Sequence, residues 1–277
     1  MELDLDHVPF AWERLDPVRT AAEAVGLPTT YGGPHADGGT EMALVPLADG
    51  AYLELIAATG DGEPRYWPAH VAASAGPADW CLRVDDAGAH LKRAIDAGVP
   101  VRGPRPGGRE RPDGRRLEWD VGHLDAPGLP FVVADRTPRA WRVAGDERLD
   151  ATLAEVVVAV DRVDETVDRL TRLYGLPTPV EAESRAFDAT LHRFPGAPVT
   201  LAAPDAGSRL AERVANLGAG PCAFLLSASA GDGADDPVAG LSCTDPVEWV
   251  GGATVRWLDA APFAGRLGVR VGGEGEA

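Results

Sequence analysis

Short apolar runs of strand length alternate with amphipathic stretches of helix length along this chain, and the alternation repeats four times. In the first copy, residues 3–58, the run Leu5–Trp12 predicts a strand. Asp16 and Pro17 then offer an N-cap and a proline at the first helical position for a helix over 18–25, which stops at Gly26. Strands are expected near 29–31, 41–47 and 52–57, with Asp49-Gly50 as a hairpin turn. The second copy, 76–135, predicts a strand at 80–84, a helix at 87–97 led in by Asp85-Asp86 and ended by Gly98, and strands near 99–102, 115–121 and 129–134. The third, 152–204, predicts a strand at 153–160, an amphipathic helix at 163–174 closed by Gly175, and strands near 179–182, 186–194 and 198–203. The fourth is the least regular, with a helix at 208–217, a strand at 222–227, a Gly/Asp-rich stretch at 231–236, and strands near 247–250, 253–258 and 266–271. The tail 272–277 is expected to be disordered.

Each copy therefore reads β-α-β-β-β. The match between Asp16…Gly26-Leu27-Pro28 and Asp164…Gly175-Leu176-Pro177 supports a true repeat. One such unit leaves the inner face of a small sheet bare, whereas two can close around a shared cleft. The expected fold is α+β, with four βαβββ units pairing into two curved-sheet clefts. Residues 1–135 form the first pair, the polar stretch 136–151 is the candidate linker, and 152–277 form a second, degenerate pair. Because the pairing can be made within one chain, a monomer and a homodimer both suit this layout.

Composition narrows the function classes. The 277 residues are 45% hydrophobic and 25% charged, which suits a globular protein with a real core. No apolar run approaches the roughly 18 residues that span a bilayer, and the N-terminus lacks the basic and apolar regions of a signal peptide, so a cytoplasmic location is expected. The net charge of −17 argues against nucleic acid and anionic membranes as partners. Lys92 is the only lysine; acidic excess with lysine depletion points to a salt-rich (halophilic) cytoplasm. Cys81, Cys222 and Cys243 are too few and too scattered for a disulfide framework or a Cys-rich zinc site.

Chemistry concentrates near the start. His7 lies on the first strand of copy one and Glu54 on its last. If those strands are neighbours, an imidazole and a carboxylate enter one concavity, a pair suited to a divalent metal with open positions. His7 is either a ligand or base or a hydrogen-bonded strand histidine. Strand alternation puts Tyr52, Glu54 and Ile56 on one face, and a carboxylate among such neighbours needs a partner. His35 sits in a Gly-rich loop that could approach a ligand closely. Arg102, Arg105, Arg109, Arg111, Arg115 and Arg116 form a cluster that either attracts an anionic substrate or pairs with Glu110, Asp113 and Glu118; the second is favoured. Trp80 and Trp119 are expected in the cleft or the core.

Several segments resemble the vicinal oxygen chelate superfamily, in particular its glyoxalase-like branch. They are Leu5-Asp6-His7-Val8, the loop from Gly32 to Thr40, Tyr52-Leu53-Glu54-Leu55-Ile56, Arg111-Pro112-Asp113-Gly114 with Leu117-Glu118-Trp119, and Leu129-Pro130-Phe131-Val132-Val133. The resemblance implies a metal between paired units, with His7 and Glu54 at two ligand positions and Glu54 as a catalytic residue. The copy-two positions fall near Trp80 and within 131–133, where no side chain binds metal, so a third ligand would come from His35 or His123. In the second pair Glu155 aligns with His7, and that half is expected to be a structural partner or a metal-free pocket. His35, Trp80, Arg111, Trp119 and His123 are the expected substrate contacts. Two functions remain open here: metal-dependent lyase, isomerase or dioxygenase chemistry on a small oxygenated molecule, or metal-free sequestration of a small ligand.

Overall fold

The first unit contains β1 (Leu5–Trp12), α1 (Leu15–Ala24), β2 (Thr30–Pro34), β3 (Thr40–Pro46) and β4 (Tyr52–Ala58). A short helix, α2 (Pro68–Ala72), and a two-residue strand, β5 (Gly76–Pro77), lead to the second: β6 (Cys81–Arg83), α3 (Ala87–Asp96), β7 (Val101–Glu110), β8 (Arg116–Leu124) and β9 (Phe131–Asp135). The third has β10 (Ala151–Ala159), α4 (Val163–Tyr174), β11 (Val180–Ser184), β12 (Ala189–Arg193) and β13 (Val199–Pro204). Helix α5 (Arg209–Leu217) then precedes β14 (Gly220–Ala228), β15 (Val247–Glu248), β16 (Thr254–Trp257) and β17 (Leu267–Val271). This is a computed structural model, and it describes residues 3–35, 38–143, 147–228 and 240–272. The Gly/Asp-rich stretch 231–236 and the tail beyond Gly272 lie outside the described residues.

The strands make two sheets, β2-β3-β4-β1-β6-β9-β8-β7 with β5 beside β1, and β11-β12-β13-β10-β14-β17-β16-β15. Both follow one rule. First and last strands of a unit run parallel, as in β1 with β4, β6 with β9, β10 with β13 and β14 with β17. The two first strands of a pair meet antiparallel at the centre, β1 on β6 and β10 on β14. The fold is thus α+β, with four βαβββ-type units paired into two curled half-barrels.

Local chemistry explains some boundaries. Asp86 caps α3 by accepting the Ala89 N–H at 3.0 Å, a contact worth about 1 kcal/mol. Gly175 ends α4 with φ 71°, a conformation costly for other residues. Helix α1 corrects the sequence reading: Arg14 occupies the N-cap, and Asp16 and Pro17 fall inside the first turn. Strand β7 is another correction, because it runs from Val101 to Glu110 through Pro104 and Pro106. It lies at the edge of its sheet, where a residue without an N–H is tolerated.

The largest core joins the two halves. Val8, Phe10 and Trp12 of β1 share it with Val156 and Val158 of β10, Phe224 of β14, and apolar residues of α1, α3 and α4. Phe10 and Phe224 meet edge to face at 5.0 Å. The half-barrels therefore stand back to back, and each keeps an inner face of its own. The second inner face is filled by Leu191, Leu225, Trp249, Val255 and Trp257, with Phe187 packed against them. Glu155 lies there with both oxygens engaged, accepting from Thr200 Oγ1 at 2.6 Å, Trp249 Nε1 at 3.2 Å and Arg270 Nη1 at 3.3 Å.

Residues 136–151, read from the sequence as a linker, are tied to the first half-barrel at several points, although Arg136, Pro138, Ala140, Glu147, Arg148 and Asp150 are exposed. Arg139 donates to Asp6 and to the Gly50 carbonyl, Arg142 is buried beside Asp135, and the Leu149 N–H reaches the Pro46 carbonyl at 2.9 Å.

Candidate functional site

The inner face of the first half-barrel holds a cavity of about 340 Å³. Strand register delivers its lining. His7 of β1 lies opposite Tyr52 of β4 and Cys81 of β6, and Cys81 lies opposite Phe131 of β9, which faces His123 of β8. Glu54 stands two residues beyond Tyr52 on the same face, and His35 follows the end of β2. His7, Glu54, His35, Trp119 and His123, all named from the sequence, come together around this one cavity.

Trp80 and Arg111 do not line it. Trp80 is fully buried in the large core on the opposite face, where its Nε1–H donates to the Gly128 carbonyl at 3.1 Å. The first-strand position of the second unit is instead Cys81; a shift of one residue moves a side chain to the other face of a sheet. Arg111 is spent on the Trp141 carbonyl at 2.9 Å and on Asp113 at 2.6 Å. The pairing expected for the arginine cluster also holds for Arg116 with Glu118, while Arg102 finds Asp125.

His7 is held from several sides. Its Nδ1 lies 2.5 Å from Asp6 Oδ1, and its ring stacks on Tyr52 at 4.8 Å and meets the edge of Phe131 at 5.3 Å. Burial alone would raise the Asp6 carboxyl, but the bond to His7 and the charges of His7, Arg139 and Arg142 hold it far below the usual carboxylate range. An ionised Asp6 can only accept, so Nδ1 of His7 donates. In the neutral ring, Nε2 then carries the lone pair, and it faces Glu54 Oε2 at 3.5 Å.

Glu54 is only 6% exposed. His35 Nε2 approaches its Oε1 at 3.3 Å, and His35 Nδ1 is fixed by Thr40 Oγ1 at 2.8 Å. Burial pushes the Glu54 carboxyl up, yet the hydrogen bond and charge of His35 and the charges of His7 and Arg109 outweigh it and keep the pKa low. The result is a buried anion with an imidazole at each oxygen.

Two clusters on this face contain metal-binding atoms, and they differ in fitness. The ligand atoms of Asp6, His7 and Cys81 lie within 4.8 Å of one another. That trio suits a metal poorly, since both Asp6 oxygens are already engaged, one by His7 and the other by Arg139. The other cluster, His7 Nε2, His35 Nε2 and the Glu54 carboxylate, offers two imidazoles and one carboxylate on a cavity wall, the donor types of open divalent transition-metal sites, but the imidazoles flank opposite carboxylate oxygens and the three ligand atoms do not all lie within 4.8 Å of one another, so a metal would have to draw them together. Asp6 then has the role of the carboxylate that orients a ligating histidine from behind.

The sequence reading missed two contributors. Trp67, held at φ 47°, lines the cavity and donates its Nε1–H to Asp79 at 3.1 Å. Burial pushes the Asp79 carboxyl up to about 6, against the bonds from Trp80 N–H and Trp67. Arg142 lies over the Trp119 ring at 4.5 Å and accepts through its carbonyl from Arg109 at 2.6 Å. Proximity of Pro138 and a charged run made that stretch read as a linker, and nothing local marks either contact.

Comparison with known proteins agrees with this architecture. A family model for the Glyoxalase-like domain matches residues 5–174, more than half of the chain. No curated protein matches the sequence. Among solved structures, a hypothetical protein from Staphylococcus aureus is 14% identical with a TM-score of 0.60, over 92% of this chain and 98% of that one. A mutant of 4-hydroxymandelate synthase from Streptomyces coelicolor is 13% identical with a TM-score of 0.65, over 100% of this chain and 95% of that one. The 2,2',3-trihydroxybiphenyl 1,2-dioxygenase from Sphingomonas wittichii strain RW1 is 14% identical with a TM-score of 0.56, over 99% and 92%. At these identities the likeness is one of fold. With the repeat, the paired half-barrels and the family match together, the chain belongs to the glyoxalase-like family of the vicinal oxygen chelate superfamily.

Proposed function

We propose that this chain binds a small oxygenated molecule in the first half-barrel and acts on it with a divalent metal held by His7, Glu54 and His35. The observation that carries the proposal is the approach of two imidazole Nε2 atoms, at 3.5 and 3.3 Å, to the two oxygens of one buried carboxylate. A metal bound there would supply Lewis-acid stabilisation of an oxyanion on the ligand. The chain's own residues do the rest. Asp6 keeps the His7 lone pair turned toward the cavity. Trp67, Trp119 and Phe131 wall the ligand and exclude water. As an alternative to ligating the metal, Glu54, anionic at neutral pH, would take a proton from a bound substrate. Lyase, isomerase and dioxygenase chemistry all suit such a site; the similar solved structures include proteins named as a synthase and a dioxygenase.

A second reading, sequestration without metal, is favoured by one observation. Cys81 and Phe131 stand at the first- and last-strand positions of the second unit, so those two strands lack the histidine and carboxylate that His7 and Glu54 supply in the first. Catechol, a probe with vicinal oxygens, separates the two readings by calorimetry with Mn²⁺-treated and EDTA-treated protein. Metal-dependent binding supports the proposal. Equal binding in both samples supports sequestration.

A further inference from the structure

The cavity has a second pole. Following the register from His7 through Cys81 and Phe131 to His123 crosses three strand-to-strand steps. Both imidazoles meet the Phe131 ring, His7 at 5.3 Å and His123 at 5.8 Å, so one phenyl ring separates the two poles. Arg105 and His123 line the second pole, and Val121, opposite Arg105, lies between them and Trp119.

Arg105 differs from the arginines around it. Arg102 is paired with Asp125, Arg111 with Asp113 and Arg116 with Glu118, and Arg142 pairs with Asp135. Arg109 gives its donors to the Gly32 and Arg142 carbonyls. Arg105 is exposed at the cavity rim and, among the described residues, forms no ion pair. In a chain of net charge −17 an unpaired guanidinium on a cavity wall is conspicuous. Glu54 is the sole carboxylate among the cavity-lining residues described, and it lies at the other pole. Burial first, and then the charges of Arg102 and Arg105 against that of Asp125, lower the His123 pKa, so His123 meets the cavity as a neutral imidazole able to donate one hydrogen bond beside the Arg105 guanidinium. Between the poles the walls are flat and apolar, made by Trp119, Phe131 and Trp67.

We propose that the ligand is a flat organic anion, with its carboxylate on Arg105 and His123 and its oxygenated end at Glu54 and His7. This rests on the functional reading above and adds the charge and orientation of the substrate. Arg105 provides a planar fork that matches a carboxylate through two hydrogen bonds.

The test uses benzoate, phenylacetate and 3-phenylpropionate against their uncharged amides, titrated calorimetrically into the full chain at one fixed ionic strength. At least one acid is expected to bind tenfold or more tightly than its amide, and Arg105→Gln should reduce that ratio to within twofold without weakening the amide. No acid-over-amide preference in any pair, or a preference that survives Arg105→Gln, overturns the inference. Mn²⁺ affinity of the wild-type chain is measured alongside. A chain that binds Mn²⁺ without preferring the acids refutes this inference alone. A chain that prefers the acids but does not bind Mn²⁺ refutes the metal reading alone.

Discussion

Nδ1 of His7 lies 2.5 Å from Oδ1 of Asp6, its neighbour in the chain, although neighbours in a regular strand point to opposite faces. The β1–β6 register shifts between Leu5 and His7, and such an irregularity re-aims a side chain. Arg139 holds the other Asp6 oxygen. Asp6→Asn therefore has a defined consequence. Arg139 only donates, so the amide oxygen turns toward it and the amide N–H₂ faces His7. The His7 proton is then forced onto Nε2, and the lone pair no longer faces Glu54. Metal affinity should fall roughly 10- to 100-fold, the usual cost of losing such a supporting carboxylate. Mn²⁺ titration with circular dichroism as the fold control checks this, and an unchanged affinity would remove Asp6 from the site.

Asp79 gives a pH signature of opposite sign from Asp6. Its folded pKa is raised to about 6, against an unfolded value near 3.9. The folded state thus holds a proton that the unfolded state releases, and the Asp79 contribution to stability falls as pH rises from about 4 to 6. Asp79→Asn removes this loss but keeps an oxygen for only one of the two donors, since the Trp67 Nε1–H and the Trp80 N–H bond different carboxylate oxygens. The variant should therefore lie below the wild type at pH 4 by the lost hydrogen bond, and gain on it by about 1–2 kcal/mol between pH 4 and pH 8. Melting curves at both pH values decide it; a variant destabilised equally at each would show that Asp79 acts only through its hydrogen bonds.

Gly107 faces the indole of Trp119 across the β7–β8 pair, and a Cβ at that position would stand 2.4 Å from Trp119 Nε1. Gly107→Ala must push the indole off the cavity wall. Overpacking of this kind costs about 1–3 kcal/mol. A modest drop in Tm with a large loss of ligand affinity is expected. Full affinity would mean that Trp119 is not part of the binding wall.

How much of this was legible beforehand follows from the reach of each signal. His7 and Glu54 were readable because strand alternation and the parallel β1–β4 pair are set by local pattern and unit order. Trp80 was misplaced because an apolar run shows no phase: Trp80 and Cys81 both suit a covered strand, and only pairing with β1 decides which faces the cavity. Strand β7 was shortened because glycine and proline read as a turn, whereas its edge position makes them tolerable. The contacts of Arg139 and Arg142 join residues far apart in sequence, with Arg139 reaching Asp6 across 133 positions, and no local pattern encodes them.

The charge of −17 carries its own expectation. Self-repulsion among acidic groups is strong at low ionic strength and screened within about 3 Å at 1 M salt. Tm should therefore rise by several degrees between low salt and molar KCl, where about 1 kcal/mol corresponds to roughly 2–4 °C in a chain of this size. A Tm independent of salt would leave the acidic surface without a stabilising role for salt.

The most direct test of the His7–Glu54–His35 site is elemental analysis of the purified chain beside Glu54→Gln, both before and after exposure to Mn²⁺, Fe²⁺, Ni²⁺ and Zn²⁺. About one divalent ion per wild-type chain, lost from a variant that keeps its fold, is the expected result for a two-histidine, one-carboxylate site. No bound metal in the wild type under any of these conditions, or an equal content in Glu54→Gln, would contradict it.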